Sequence, residues 1–180
     1  MRIISGQYKG SNIIGYDIKG TRPTMDRVKE SLFAMIQNNI KNSICLDLFA
    51  GSGNLGLEAL SNYAAKCYFV DNNYDIVQVL KQNINKIKIK EEYVLIDDDA
   101  FKALKLFKDN NLKFDLIFLD PPYELNLINK SLDLINEYDL LSKDGLIVCE
   151  FESEIVTLDN YEIIKQKKYG TKNIYIIKKH

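Results

Sequence analysis

The sequence has a single histidine, and it is the last residue, His180. A mechanism built on a positioned imidazole base is therefore excluded. The three cysteines, Cys45, Cys67 and Cys149, lie singly inside apolar runs, with no C-x-x-C pair and no histidine nearby. They read as reduced, buried small hydrophobes, which excludes a disulfide framework and a thiolate metal site. Tryptophan is absent, and no apolar run reaches the ~18–20 residues that a membrane span requires. No short apolar leader opens the chain, so the expectation is a cytoplasmic protein without a membrane partner. Arginine is as scarce as cysteine: Arg2, Arg22 and Arg27 stand against 21 lysines. Each is informative for that reason, because a planar guanidinium forks onto phosphate or carboxylate as an ammonium does not.

Proline is confined to Pro23, Pro121 and Pro122, and glycine clusters in the first 20 residues and at Gly51, Gly53 and Gly56. The unusual backbone chemistry thus falls in three places: the N-terminal segment, residues 47–56 and residues 120–123. The rest is ordinary. With 180 residues, 46% hydrophobic and 27% charged, the chain suits one globular domain that buries its own core. The net charge of −1 argues at first against a nucleic-acid partner, but it is an average of unlike parts. Residues 1–30 carry +3, residues 165–180 carry +6 from lysine alone, and the stretch between them carries −10. Two basic ends suit phosphate contacts, and the acidic middle suits a cationic ligand.

Apolar runs at 43–49, 66–71, 92–96, 114–119 and 145–151 predict strands. Helical spacing at 54–62, 73–87, 100–108 and 126–138 fills the gaps between them. That alternation predicts a doubly wound α/β fold, a mostly parallel sheet covered on both faces. Residues 161–168 and 173–178, around Tyr169-Gly170-Thr171, predict an antiparallel hairpin closing a seven-stranded, Rossmann-like sheet. Residues 2–5 and 11–16 predict a short hairpin, and Thr24 a helix N-cap. The expected organisation is an N-terminal β-hairpin extension over 1–22 and a main domain over 23–180.

Strand 43–49 runs through Ala50-Gly51-Ser52-Gly53-Asn54-Leu55-Gly56 into a helix. In that context the glycines permit a tight turn, close approach of a ligand and helix–strand packing. Asp71 ends the next strand, where a carboxylate can accept from both hydroxyls of a ribose. Asp47, just before the loop, favours a ligand with positive charge, such as S-adenosylmethionine, over a pyrophosphate. Asp99 closes the third strand where an adenine amino group would lie. Its neighbours Asp97 and Asp98 are solvated rather than metal ligands, because successive side chains of an extended chain point apart.

Asp120-Pro121-Pro122-Tyr123 follows the fourth strand, at the switch point of such a sheet. The proline pair removes two N–H donors and leaves a rigid edge of carbonyl acceptors, to which Asp120 adds a carboxylate. An exocyclic amino group is a poor nucleophile because its lone pair is delocalised into the ring. Acceptors gripping its two N–H bonds draw the nitrogen toward tetrahedral geometry and free the lone pair, and Tyr123 can stack the base. Catalysis by positioning and electrostatics needs no strong base before transfer.

With both motifs placed, the chain resembles the class I S-adenosylmethionine-dependent amino-methyltransferases of the N/DPPY/F type. More narrowly it resembles the bacterial RsmD-type enzymes that methylate guanine N2 in 16S ribosomal RNA. The resemblance rests on Arg2-Ile3-Ile4-Ser5-Gly6, on Arg22-Pro23-Thr24 with Asp26 to Phe33, on Leu46 to Gly53 continuing through Leu57-Glu58-Ala59-Leu60, and on Asp120 to Tyr123. It implies that Asp47, Phe49, Ala50, Gly51, Gly53, Asp71, Asn72, Asp99 and Ala100 surround the cofactor. It also implies that Asp120, Pro121, Pro122 and Tyr123 handle guanine N2, and that Arg2, Arg22, Thr24, Arg27 and Lys29 meet the RNA. The partner it implies is 16S rRNA within a small-subunit assembly particle, bound by a monomer. Asn54 departs from the pattern, small residues being common there. A nicotinamide-dependent oxidoreductase would share the glycine loop but has no use for the proline tetrapeptide. A non-catalytic nucleotide-binding module and other RNA or DNA amino methylations, such as adenine N6, are the alternatives.

Overall fold

Residues 1–15, 22–122, 126–153 and 156–180, the side chains of 22–24 excepted, are described by a computed structural model. Seven strands, the first five alternating with helices, are β1 (Ile44–Asp47), β2 (Lys66–Asp71), β3 (Glu92–Asp97), β4 (Phe114–Leu119), β5 (Leu141–Phe151), β6 (Tyr161–Tyr169) and β7 (Lys172–Lys179). The α-helices are α1 (Arg22–Ile36), α2 (Asn54–Ser61), α3 (Tyr74–Ile87), α4 (Ala100–Asp109) and α5 (Leu127–Glu137). The sheet order is β3-β2-β1-β4-β5-β7-β6. β1 to β5 run parallel, and β7 lies antiparallel to both of its neighbours. This is the expected doubly wound fold. Among the described residues no helix is long and apolar enough to cross a membrane.

The two faces bury separate cores. Phe118, Val148, Ile174 and Ile176 pack with α1, α2, α3 and the N-terminal Ile3 and Ile13; Leu119, Ile147, Cys149 and Ile177 pack with α4 and α5. Helix α3 shows why the periodicity was readable. Val77, Leu80, Ile84 and Ile87 are buried at helical spacing, the Asn73 side chain caps the start, and Lys88 in the left-handed region ends it. The order in which strands are added reverses between the parallel neighbours β1 and β4, so the loops after these two strands meet at one crevice.

At the N-terminus the expected hairpin is present in minimal form. A single antiparallel bridge, Arg2 with Asn12, joins its two arms. Ile3 N donates to the Ser11 carbonyl, Gly10 N to that of Ile3 and Ile13 N to that of Met1, but the residues between the arms turn to α2: Ile4 and Ser5 donate to the Glu58 carboxylate, Gln7 to the Ser61 carbonyl and Tyr8 to Ser61 Oγ. Residue 16 of the expected second arm lies outside the described residues. Thr24 is not an N-cap, since α1 begins at Arg22. Pro23 sits in its first turn, where a missing N–H costs nothing.

Candidate active site

The glycine loop is shaped by the two strands beside it. Gly51 has φ +55° and Gly53 φ +92°; a Cβ on Gly53 would lie 2.4 Å from Leu80 Cδ1. Gly56 seats α2 against β2, where a Cβ would meet Phe69 Cε1 at 2.2 Å. Asp71 stands at the end of β2 and ties the turn down: Oδ2 accepts from Gly51 N at 2.9 Å, and Oδ1 accepts from Asn73 N at 3.0 Å. The Gly51 backbone N–H is thus already taken by a carboxylate and is not free to donate to a phosphate.

A cavity of about 530 Å³ opens over this loop. Phe49, Ala50, Gly51, Asp71, Asn72, Asp99 and Ala100 of the expected cofactor residues are in its wall, together with Asp120 and Pro122 of the tetrapeptide; Gly53, expected there too, is not, because it turns inward against Leu57 and Leu80. Three of these are carboxylates, and among the described residues no lysine or arginine lines the cavity. Such a lining repels phosphate and accepts a cation. Asp99 also starts α4, with Oδ1 accepting from Phe101 N at 2.9 Å and Lys102 N at 3.1 Å.

Asp47 differs from its expected place. It does not line the cavity; it is buried behind the loop, where Oδ2 accepts from Gly56 N at 2.9 Å. Burial pushes its carboxyl up to about 7, against the Gly56 hydrogen bond, which holds it down.

A second cavity, of about 300 Å³, lies on the other side of Asp120, between α1 and the ends of β5 and β7. The two cavities share Met25, Asn54 and Asp120. Asp120 is brought here by register. Leu119 pairs with Cys149, so the next residues, Asp120 and Glu150, leave neighbouring strands together, on the α1 side of the sheet where Phe118 and Val148 pack. Glu150 is bonded to Lys172 at the start of β7. Burial raises the Asp120 carboxyl well above the usual carboxylate range, and Glu150 raises it further, while Lys172 opposes both. Tyr123 lies outside the described residues.

The expected RNA contacts divide. Arg27 is exposed on α1. Arg2 is 61% exposed but is held to Asp26 at 2.9 Å. Lys29 is not a surface cation: it is buried 2.8 Å from Glu58, and it donates to the Arg2 carbonyl at 2.5 Å and to Asn54 Oδ1 at 2.9 Å. Burial lowers its pKa, opposed by Glu58. Asn54, the departure from the family pattern, therefore has a partner, and Lys29 with Glu58 pins the N-terminal arm to α1 and α2. The side chains of Arg22 and Thr24 lie outside the described residues. The two basic ends meet on α1, where Lys165 Nζ donates to the Met35 carbonyl at 2.7 Å and Lys167 Nζ to Ser31 Oγ at 3.0 Å.

Sequence reasoning missed Glu58, Glu150, Glu152 and Lys172. Glu58 and Glu150 left a signal, each a lone acid within an apolar stretch, Leu55 to Leu60 and Leu146 to Phe151.

The family model described as Conserved hypothetical protein 95 matches residues 1–178. YlbH of Bacillus subtilis is 38% identical, with 99% of each chain covered. Ribosomal RNA small subunit methyltransferase D of Haemophilus influenzae is 38% identical, covering 94% of this chain and 89% of that one. The solved Escherichia coli chain yhhF superposes with a TM-score of 0.85 at 29% identity, covering 99% and 97%.

Proposed function

The chain belongs to the Conserved hypothetical protein 95 family, and from that premise we propose that it methylates ribosomal RNA, using S-adenosylmethionine to modify guanine N2 in the small-subunit RNA. The observation that carries this reading is the position of Asp120, the carboxylate wall common to two cavities. One cavity is acidic and suits a cationic cofactor; the other opens between the two basic ends of the chain and suits a base presented by an RNA backbone.

The residues in the first cavity fit S-adenosylmethionine: Asp71 would accept from the ribose hydroxyls and Asp99 from the adenine amino group, and Gly51 leaves its Cβ position open. When bound, this cofactor supplies an electrophilic methyl on a sulfonium. The chain positions the nucleophile. Asp120 and the carbonyl edge of Pro121-Pro122 accept from the two N2–H bonds, freeing the nitrogen lone pair toward the first cavity. Asp120, raised in pKa, then takes the proton that the methylated nitrogen releases. Tyr123 stacks the guanine. Arg22, Thr24 and Arg27, with the N-terminal arm of 1–22, meet the phosphates, assisted by the lysines of β6 and β7. The substrate is 16S rRNA in an assembling small-subunit particle, bound by a cytoplasmic monomer.

The test uses labelled S-adenosylmethionine and small-subunit particles lacking the modification, followed by nucleoside digestion. Label in N2-methylguanosine is expected, and Asp120→Ala lowers the rate about 100- to 1000-fold. Label in any other nucleoside overturns the guanine-N2 reading. No cofactor binding in calorimetry overturns the methyltransferase reading itself.

A further inference from the structure

The second cavity holds more polar machinery than gripping one amino group requires. Besides Asp120, its wall carries Glu150, Glu152 and Lys172. The two glutamates are in different states. Glu150 is buried and bonded through Oε1 to Lys172, so its charge is largely answered. Glu152 is half-buried just past the end of β5, and its carbonyl is fixed by Asn173 Nδ2 at 3.1 Å. Among the described residues its carboxylate is in no ion pair.

Resting on the proposed methylation of guanine N2, we propose that Glu152 selects guanine by accepting its N1–H beside the amino group held at Asp120. The Watson–Crick edge of guanine places two kinds of donor side by side, N1–H and the N2 amino group. Adenine and cytosine place an acceptor nitrogen next to their amino group, which would point a lone pair at the Glu152 carboxylate. A carboxylate is an acceptor only, so it rewards guanine and penalises the other two amino bases. The Glu150–Lys172 pair is neutral in sum and leaves Glu152 as the carboxylate open to an incoming donor. Specificity then arises just past the end of β5, 29 residues beyond the tetrapeptide that performs the transfer.

The experiment replaces the target guanine, once mapped by the labelling assay, with 2-aminopurine in otherwise identical RNA. This analogue keeps the amino group at C2 and carries an acceptor at N1. The wild-type protein should prefer guanine by about 100-fold in kcat/KM, the penalty of facing an acceptor with an acceptor. In Glu152→Gln the amide offers an N–H to the analogue, so 2-aminopurine should be methylated faster than by wild type, and the preference should narrow to about tenfold or less. A structural role for Glu152 would slow both substrates alike. An unchanged preference in Glu152→Gln, with cofactor binding intact by calorimetry, overturns the proposal, as does an equal narrowing in Glu150→Gln. Failure of the wild-type protein to methylate guanine would overturn the proposed function instead, so the two failures are distinguishable.

Discussion

The two cavities on either side of Asp120 are built by opposite strategies. The acidic one draws its wall largely from residues just beyond the ends of β1, β2 and β3, each close in sequence to its strand. Its shape is set by backbone: two glycines at positive φ and a carboxylate that caps a loop N–H. The other draws on α1, the end of β5 and the start of β7, and its chemistry is set by side chains whose charges answer one another. A backbone-built site is rigid and tolerates little change at its glycines. A side-chain-built site can change its preference through one substitution while the fold stays intact.

Breaking the backbone-built side should have the largest effect. Gly53→Ala puts a side chain at φ +92° with its Cβ 2.4 Å from Leu80 Cδ1, so the backbone is strained and the loop or the buried Leu80 side chain must shift. A cost of about 1–3 kcal/mol corresponds to roughly five- to 150-fold weaker cofactor binding, measured by calorimetry, with RNA affinity unchanged. An equal loss of both would show that the two sides are one unit.

The side-chain-built cavity should respond in its pH profile. Asp120 works ionised, so the rate rises as pH passes upward through its raised pKa. Glu150→Gln removes a negative neighbour and lowers that pKa, moving the rise to lower pH. Lys172→Met removes a positive neighbour and moves it to higher pH. Single-turnover rates from pH 5 to 9 read both shifts, and shifts of the same sign would contradict the arrangement. The smallest effect is expected outside either cavity. Arg27→Ala should weaken RNA binding about two- to fivefold and reduce the magnitude of its log–log salt slope by about 1, with cofactor affinity untouched.

Legibility followed the same division. The glycine turn, Asp71, Asp99 and Asp120 were readable because each follows a strand whose apolar run announces it, and a motif of adjacent residues keeps its meaning in one dimension. Lys29 was misread because nothing in Arg27-Val28-Lys29-Glu30 separates a phosphate contact from a buried partner of Glu58, which is 29 residues away. Asp47 was placed at the right loop and on the wrong side of it, since the pleat that turns it toward Gly56 is fixed only once α2 packs on β1 and β2. Net charge misled as well: the basic ends acquire a common face only when β6 lies against α1.

By itself, then, the sequence determined the strand–helix alternation, the three segments of special backbone and the carboxylates at strand ends, because these follow from local periodicity and from the φ values that glycine and proline allow or forbid. Only the tertiary structure decided which charges are answered and which stand open. Asp120, Glu150, Glu152 and Lys172 meet through the order β4-β5-β7 and the register Leu119 with Cys149. An acid's role depends on the burial and partners that this packing imposes, and neither is written in its neighbours along the chain.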